Sequence, residues 1–158
     1  MNAIRFSVMI DLKHRDEVAA MMRSLYEEDR SGRDVDHSRF ASGIEYLISH
    51  PSVGQIVVFY EGSQVRGYAL LVPYWSNEFG GRLLFVDELF VASGFRGRGI
   101  GRSFFRHLEE DRPFGPVALG LAVNPGNTGA RRLYGSLGFE DLGIATLLRG
   151  MSQETCAS

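Results

Sequence analysis

The glycine and arginine residues between Arg96 and Arg102 have the composition of a phosphate-binding turn. They follow an apolar segment and precede an amphipathic one. Glycine lets the backbone approach a ligand closely, and the first amides of a following helix have no intrahelical partner. Arginine adds bidentate contacts to phosphate. The junction could therefore hold a diphosphate. The structural alternative is a turn that only caps a helix whose arginines are solvated.

Two established phosphate loops do not fit this junction. It contains no Gly-Lys-Ser/Thr, so a P-loop NTPase is excluded. A dinucleotide-binding fingerprint needs Gly-x-Gly-x-x-Gly and an acidic residue after the next strand. The chain has Gly-x-Gly-x-Gly, and the apolar run 115–123 ends without an acid.

The hydrophobic patterns predict the elements that position this junction. Apolar residues at helical or strand spacing, bounded by turn residues, predict a mixed α/β (α+β) sheet in the order β-α-α-β-β-β-α-β-α-β. The three central strands have short connections and should form an antiparallel meander. The predicted strands are 4–10, 54–62, 63–75, 82–92, 115–123 and 141–150, and the predicted helices are 14–28, 37–50, 99–112 and 127–138.

The composition indicates an ordinary globular chain. Its 158 residues fit a single domain over 1–150 with a C-terminal tail, 151–158. A net charge of −2 disfavours nucleic acid as a partner. The single cysteine, Cys156, and four histidines without ligand spacing indicate neither a disulfide nor a metal site. There is no long apolar run and no signal peptide, so we expect a cytoplasmic protein that does not enter a membrane.

Two sequence blocks closely resemble motifs of the GNAT N-acetyltransferase superfamily. The first is R-x-x-G-x-G after an "ELFV" strand, and it resembles the family's acetyl-CoA loop. The second resembles N-x-x-A-x-x-L-Y-x-x-x-G-F and lies one helix and one strand later, as the family requires. The resemblance covers about residues 4–150 and implies the GNAT acyl-CoA N-acyltransferase fold with a splayed central strand. The matching residues are Arg96, Gly99 and Gly101 in the first block, and Asn127, Ala130, Leu133, Tyr134, Gly138 and Phe139 in the second.

The resemblance also implies how acetyl-CoA, the acyl donor, is held. The main chain of Leu89–Val91 would pair with the pantetheine arm, with the Leu89 amide directed at the acetyl carbonyl. Asn127 would bond the arm near its thioether end. Tyr134 would protonate the departing thiolate, although it could instead be a core aromatic with a satisfied hydroxyl. The implied donor-binding residues are Leu89, Phe90, Val91, Arg96, Gly97, Arg98, Gly99, Ile100, Gly101, Arg102, Asn127, Ala130 and Tyr134.

Asp87 and Glu88 are the candidates for proton transfer from the acceptor. Because they are adjacent on a predicted strand, we expect them to face opposite sides of the sheet and to act separately. The "DELFV" pattern resembles the acid pair of the small-amine and polyamine acetyltransferase branch. That resemblance implies that Asp87 relays a proton from the ammonium through water, while Glu88 orients the acceptor or holds a structural network. Alternatively, one or both acids only satisfy buried polar groups.

The acceptor cleft of this family is walled by the N-terminal helices and the turn between the third and fourth strands. In this sequence Tyr26, Trp75 and Glu78 are candidates from those two segments. Acids with aromatics would suit a cationic amine. Because arginines are interspersed with these acids, an amino acid or a peptide amine is also possible as the acceptor. The structural alternative is that the segments form only a solvated loop packed beside apolar side chains.

The resemblance therefore favours an enzyme that acetylates a primary amine by direct attack in a ternary complex. The alternatives are a non-catalytic acyl-CoA-binding module and an acetyltransferase acting on a protein or peptide amine. A small-molecule amine is the expected partner, and no metal is expected. Dimerisation is common in the family, although no residue of the sequence indicates a homodimer.

Overall fold

The computed structural model describes residues 3–29 and 34–151 as a five-stranded sheet flanked by helices. The strands follow in the spatial order β1-β2-β3-β4-β5. Neighbours are antiparallel except for β4 and β5, which are parallel. The strands are β1 (Ile4–Val8), β2 (Gln55–Glu61), β3 (Gln64–Ser76), β4 (Gly81–Val91) and β5 (Ala118–Leu121). The helices are α1 (Arg15–Glu28), α2 (Arg39–Ser49), α3 (Ile100–Asp111) and α4 (Thr128–Ser136), and a short 3₁₀ turn spans Ser93–Phe95.

The sheet is buried on both faces, which explains the continuous apolar run in β2. Ile56 and Val58 pack with α1 and α2, whereas Val57 and Phe59 pack with α3. Successive side chains of a strand point to opposite faces, so one strand supplies both cores. The sheet therefore holds the two helical layers apart, and chemistry that needs both layers must occur at an edge or a gap.

The predicted fold class is confirmed, but the predicted final strand over 141–150 is wrong. The other predicted strands and helices form near their expected places. Residues 140–151 have no regular secondary structure and are exposed. A strand needs an adjacent partner as well as β-prone residues, and the described part of this chain offers these residues no pairing. All but the first residue of the predicted tail, 151–158, lie outside the described residues, and so does Cys156.

The described residues contain no helix that is both long enough and apolar enough to cross a membrane.

Candidate active site

The sheet opens between β4 and β5. Their pairing runs from Leu83–Ala118 to Val86–Leu121 and stops there. On its other edge β4 stays paired to β3 as far as Val91. The last five residues of β4 therefore have one free edge among the described residues, and a gap separates them from the chain that leaves β5.

The backbone amides of Leu89 and Val91 face this gap. Ala92 donates its N–H to the Arg66 carbonyl of the β3 side at 2.8 Å. Residues of an antiparallel strand alternate between bonding their neighbour and facing away from it. Because Ala92 and Phe90 bond the β3 side, the amides of Leu89 and Val91 point to the open edge. This edge can add an extended ligand arm through main-chain hydrogen bonds.

The glycine-rich turn lies where β4 ends and α3 begins. Gly97 and Gly99 have φ angles of +74° and +77°, a region that favours glycine. The first helical hydrogen bond is from Ser103 N–H to the Gly99 carbonyl. The amides of Ile100, Gly101 and Arg102 therefore have no intrahelical acceptor. Together with the positive end of the helix dipole they suit a diphosphate at the end of the gap.

The three arginines of the turn have different surroundings. Arg96 Nε donates to the Val91 carbonyl at 2.8 Å, and its Nη2 forms an ion pair with Glu28 at 2.8 Å. Arg102 donates to Ser136 Oγ at 2.7 Å. Arg98 stacks over Phe95 with 4.8 Å from Cζ to the ring centroid. Arg98 is exposed and, among the contacts described, its guanidinium has no carboxylate partner, so it suits a phosphate best of the three.

Gly101 and Asn127 fix α4 against α3. A Cβ built on Gly101 would lie 2.9 Å from Leu133 Cδ2, so glycine permits the close approach of the two helices. Asn127 is the N-cap of α4, and its side-chain oxygen accepts the Ala130 N–H at 3.0 Å. Asn127 thus has a structural role in the chain as described, and its side-chain NH₂ is left to donate elsewhere.

Tyr134 of α4 belongs to the same apolar cluster as Leu89 and Val91. Its ring contacts Phe105 and Phe139, at centroid distances of 5.8 Å and 5.9 Å. Among the described residues its hydroxyl has no hydrogen-bond partner. Burial raises the pKa of Tyr134 above its ordinary value, so the phenol stays protonated at neutral pH. A protonated, unbonded hydroxyl near the open edge of β4 can act as an acid.

On the other face of the sheet, Glu88 is held by two tyrosines. Tyr26 of α1 donates to its Oε1 at 2.8 Å, and Tyr68 of β3 donates to its Oε2 at 2.7 Å. Glu88 is only 9% exposed, and Tyr68 is fully buried. Burial raises the pKa of Glu88, while the two hydrogen bonds lower it. Because both carboxylate oxygens are engaged, Glu88 is better placed to position other groups than to collect a proton.

Asp87 lies at a bulge, which removes the basis for expecting it to face away from Glu88. In the β3–β4 register Leu70 pairs with Glu88 and Leu71 with Val86, so Asp87 has no partner. An unpaired residue breaks the regular alternation of side chains. The charge of Asp87 also raises the pKa of Glu88. The charge of Asp87 therefore acts on Glu88, although Asp87 is exposed and Glu88 is buried.

Asp87 differs from Glu88 in its access to solvent. Asp87 is exposed, yet surrounding protein restricts its hydration and raises its pKa. No side-chain hydrogen bond engages its carboxylate among the described residues. An exposed carboxylate of raised pKa with no side-chain hydrogen bond is a candidate to accept a proton.

The predicted acceptor residues do not all come together. Tyr26 joins Glu88, as described, but Trp75 and Glu78 lie at the β3–β4 turn. Trp75 pairs with Arg82, and the five-residue step from Arg82 to Asp87 corresponds to about 17 Å of strand. Trp75 is 65% exposed and donates to Asn77. Only a long acceptor could contact both this turn and Asp87.

Sequence reasoning missed Tyr68 and the contacts at the end of α1. Tyr68 is a single aromatic in an apolar strand, and only the pairing of β3 with β4 brings it to Glu88. Likewise the Asn124 side chain donates to Asp29 at 3.0 Å across 95 positions of sequence. No local pattern carries such long-range contacts.

No group of three or more His, Cys, Asp or Glu side chains arranged to hold a metal ion is found in residues 3–29 and 34–151.

Residues 18–139 match the family model described as the acetyltransferase (GNAT) family. No curated protein matches the chain. Among solved structures, one described as a possible acetyltransferase from Clostridium difficile 630 is 20% identical with a TM-score of 0.79, and the alignment covers 95% of this chain and 99% of that one.

Two similar structures have named activities. The aminoglycoside N-acetyltransferase AAC(6')-Iy in complex with CoA is 15% identical with a TM-score of 0.77, and 96% of this chain and 97% of that chain are covered. The ribosomal-protein-alanine N-acetyltransferase from Brucella melitensis biovar Abortus 2308 is 17% identical with a TM-score of 0.72, and 94% and 100% are covered. At these identities the likeness shows a shared fold.

Proposed function

Because the chain belongs to the acetyltransferase (GNAT) family, we propose that it transfers an acetyl group from acetyl-CoA to the primary amine of a small cationic acceptor by direct attack in a ternary complex. One observation carries the proposal: β4 runs five residues past its last pair with β5 and leads into a turn of free amides. An extended arm ending in a diphosphate fits that shape. A donor arm in this gap would run along Leu89 and Val91, which share an apolar cluster with Tyr134 and directly follow Asp87 and Glu88 in β4.

The donor is held mainly by backbone. The amides of Leu89 and Val91 bond the arm, and the amides of Arg98 to Arg102 bond the pyrophosphate. Arg98 adds charge to the phosphate side. The Leu89 amide also stabilises the negative charge that develops on the acetyl oxygen during attack.

Two groups move protons in the proposed reaction. Asp87 removes a proton from the acceptor ammonium, through water, so that the free amine can attack the thioester carbon. A C–N bond forms and the C–S bond breaks. Tyr134 gives its proton to the CoA thiolate as the C–S bond breaks, a transfer between groups whose ordinary pKa values are near 10 and 8.5. The second proton of the attacking nitrogen leaves through water and restores the Tyr134 phenol, and the proton on Asp87 returns to solvent. Glu88 positions Tyr26 next to the acceptor and does not accept the proton itself.

A small cationic acceptor is supported by the charges at the gap. Asp87 and Glu88 attract an ammonium, and Tyr26 offers an aromatic face. One similar structure is an enzyme that acetylates aminoglycosides. The net charge of −2 argues against a nucleic acid acceptor. We place this activity in a single domain over 1–150, followed by the tail 151–158, and in the cytoplasm.

The test is release of free thiol from acetyl-CoA with a panel of polyamines, aminoglycosides, amino acids and N-terminal peptides. Wild type is compared with Tyr134→Phe, and with Tyr46→Phe on the exposed surface of α2 as the matched control. We expect turnover with a cationic small amine, lowered about 10²–10⁴-fold in Tyr134→Phe and unchanged in the control. Turnover with the peptides alone would indicate that the acceptor is a protein or peptide amine and not a small molecule. Full activity in Tyr134→Phe would remove its acid role.

A further inference from the structure

The C-terminal end of α1 contacts both walls of the gap beside β4. Glu28 forms an ion pair with Arg96, whose Nη2 lies 2.8 Å and 3.0 Å from the two carboxylate oxygens and whose Nε donates to the Val91 carbonyl. The next residue, Asp29, accepts a hydrogen bond at 3.0 Å from the side-chain NH₂ of Asn124, in the chain that leaves β5. Main-chain pairing between the two walls has already ended at this point. We call Glu28, Arg96, Asp29 and Asn124 the polar bridge.

Core packing holds only one side of α1 near this end. Leu25 packs against the core beneath the helix. On another side a cavity of about 360 Å³ lies between the helix and the end of β4, with a lining that includes Ser24, Glu28, Phe90 and Ala92. Close-packed side chains fix the position of an element, and a cavity removes those contacts. The position of the end of α1 therefore depends on the polar bridge.

Asn124 connects the polar bridge to α4. Its main-chain carbonyl accepts the Asn127 N–H at 2.9 Å, and its side-chain oxygen accepts the Gly126 N–H at 2.9 Å. Asn127 is the N-cap of α4, the helix that carries Tyr134. The hydrogen bond from Asn124 to Asp29 thus ties the start of this helix to α1.

We propose that Asp29 and Asn124 are positioning residues for the acetyl transfer. With the ion pair on the other wall, their hydrogen bond sets the distance between β4 and α4 and so places the Tyr134 hydroxyl against the donor sulfur. This role rests on the proposed function, because it needs Tyr134 to be the acid of the reaction.

The polar bridge should affect catalysis more than folding. A displacement of reacting groups by about 1 Å can lower a rate about 10²-fold. All four side chains of the bridge are exposed, and contacts between exposed groups contribute little to stability. Substitutions in the bridge should therefore slow the reaction in a protein that remains folded.

The first test reverses the hydrogen bond. Asn124→Asp keeps an oxygen for the Gly126 N–H but places a carboxylate against Asp29, so the bond is lost and repulsion is added. We expect kcat to fall about tenfold, with the midpoint of thermal unfolding lowered by no more than about 2 °C. The exchange variant, Asp29→Asn with Asn124→Asp, restores a donor opposite an acceptor in the reverse direction. Its kcat should return to within about twofold of wild type.

Glu45→Gln is the matched control for this test. It weakens a different contact of α1, the ion pair of Glu45 with Arg15, and should leave kcat unchanged. A wild-type kcat in Asn124→Asp would show that the polar bridge does not position Tyr134. An exchange variant as slow as Asn124→Asp would show that the loss arises in the local turn. Either result overturns the proposal.

The second test measures the distance between the walls without a substrate. The only cysteine is removed by Cys156→Ser, and spin labels are attached to Arg23→Cys on α1 and Arg132→Cys on α4, both at exposed positions. Pulsed dipolar EPR should give a narrow distance distribution in this parent, a broader one after Asn124→Asp, and the narrow one again in the exchange variant. A distribution that Asn124→Asp leaves unchanged would overturn the proposal whichever amine is acetylated. Reversible broadening in a protein that releases no thiol from acetyl-CoA would place the failure in the proposed reaction and not in the polar bridge.

Discussion

The two sides of the gap beside β4 are built in different ways. The side proposed to hold the donor consists of contiguous backbone, from Arg96 to Arg102, whose shape depends on glycines with positive φ. The acid side is assembled from side chains of three elements: Tyr26 lies 62 positions from Glu88 in sequence, and Tyr68 lies 20. A substitution on one side should therefore impair the binding or reaction of one substrate and leave the binding of the other substrate unchanged.

The largest effect is expected at Asp87, on the acid side. Asp87→Asn keeps the shape of the side chain but removes the base, so kcat should fall about 10²–10⁴-fold. The dissociation constant of acetyl-CoA, measured by calorimetry, should stay within about twofold because the donor side is intact. Glu88→Gln is the comparison variant. If it loses more turnover than Asp87→Asn, the base has been assigned to the wrong carboxylate.

The same variant should change the pH dependence. Burial raises the pKa of Asp87 above the ordinary value near 3.9, so wild-type kcat/KM should rise with pH through this higher pKa, and Asp87→Asn should lose that inflection. The free energy of unfolding should change with pH in the opposite direction. A raised pKa in the fold contributes stability at low pH that is lost as pH rises through it. Asp87→Asn should therefore become more stable relative to wild type as the pH rises from about 4 through this raised pKa, as thermal unfolding would reveal.

The next largest effect is expected at Gly99, on the donor side. A β-branched residue is strained at a φ of +77°, so Gly99→Val should turn the amides of the loop and weaken acetyl-CoA binding about 10–100-fold. Gly135→Val, at an exposed position of α4 with nothing near its Cβ, is the control for introducing valine. Acetyl-CoA affinity that is unchanged in Gly99→Val would contradict the role assigned to the turn.

The contrast between the two sides also explains what the sequence could predict. The turn, the N-cap at Asn127 and the helix containing Tyr134 are local features, so residue types and spacing are enough to predict them. The bulge at Asp87 and the bond of Tyr68 to Glu88 depend on how β3 meets β4, which no local pattern states. The strand predicted over 141–150 is wrong for the same reason, because β-prone residues do not specify a partner.

Tyr68 should have a smaller effect, mainly on stability. Tyr68→Phe leaves Glu88 Oε2 buried without its donor, which costs about 1–3 kcal/mol in free energy of unfolding. In the wild type this bond lowers the pKa of Glu88, so that pKa should rise further in the variant. Tyr26→Phe is the matched control, since Tyr26 is only partly buried and water can replace its bond. Urea unfolding should show Tyr68→Phe to be less stable than Tyr26→Phe. An equal loss of unfolding free energy in the two variants would contradict the argument that burial determines the size of the loss.

The smallest expected effect is at Asn127, whose side chain contributes to a side of the gap that otherwise consists of backbone. Its side chain caps α4 by accepting the Ala130 N–H, so Asn127→Ala should cost about 1 kcal/mol of stability. Asn127→Ser retains a capping oxygen and should recover most of this loss, but it lacks the NH₂ that is proposed to bond the donor arm. We therefore expect thermal unfolding of Asn127→Ser close to wild type and acetyl-CoA binding still weakened several-fold. If stability and acetyl-CoA binding both return to wild-type values in Asn127→Ser, then Asn127 only caps α4 and its NH₂ does not bond the donor arm.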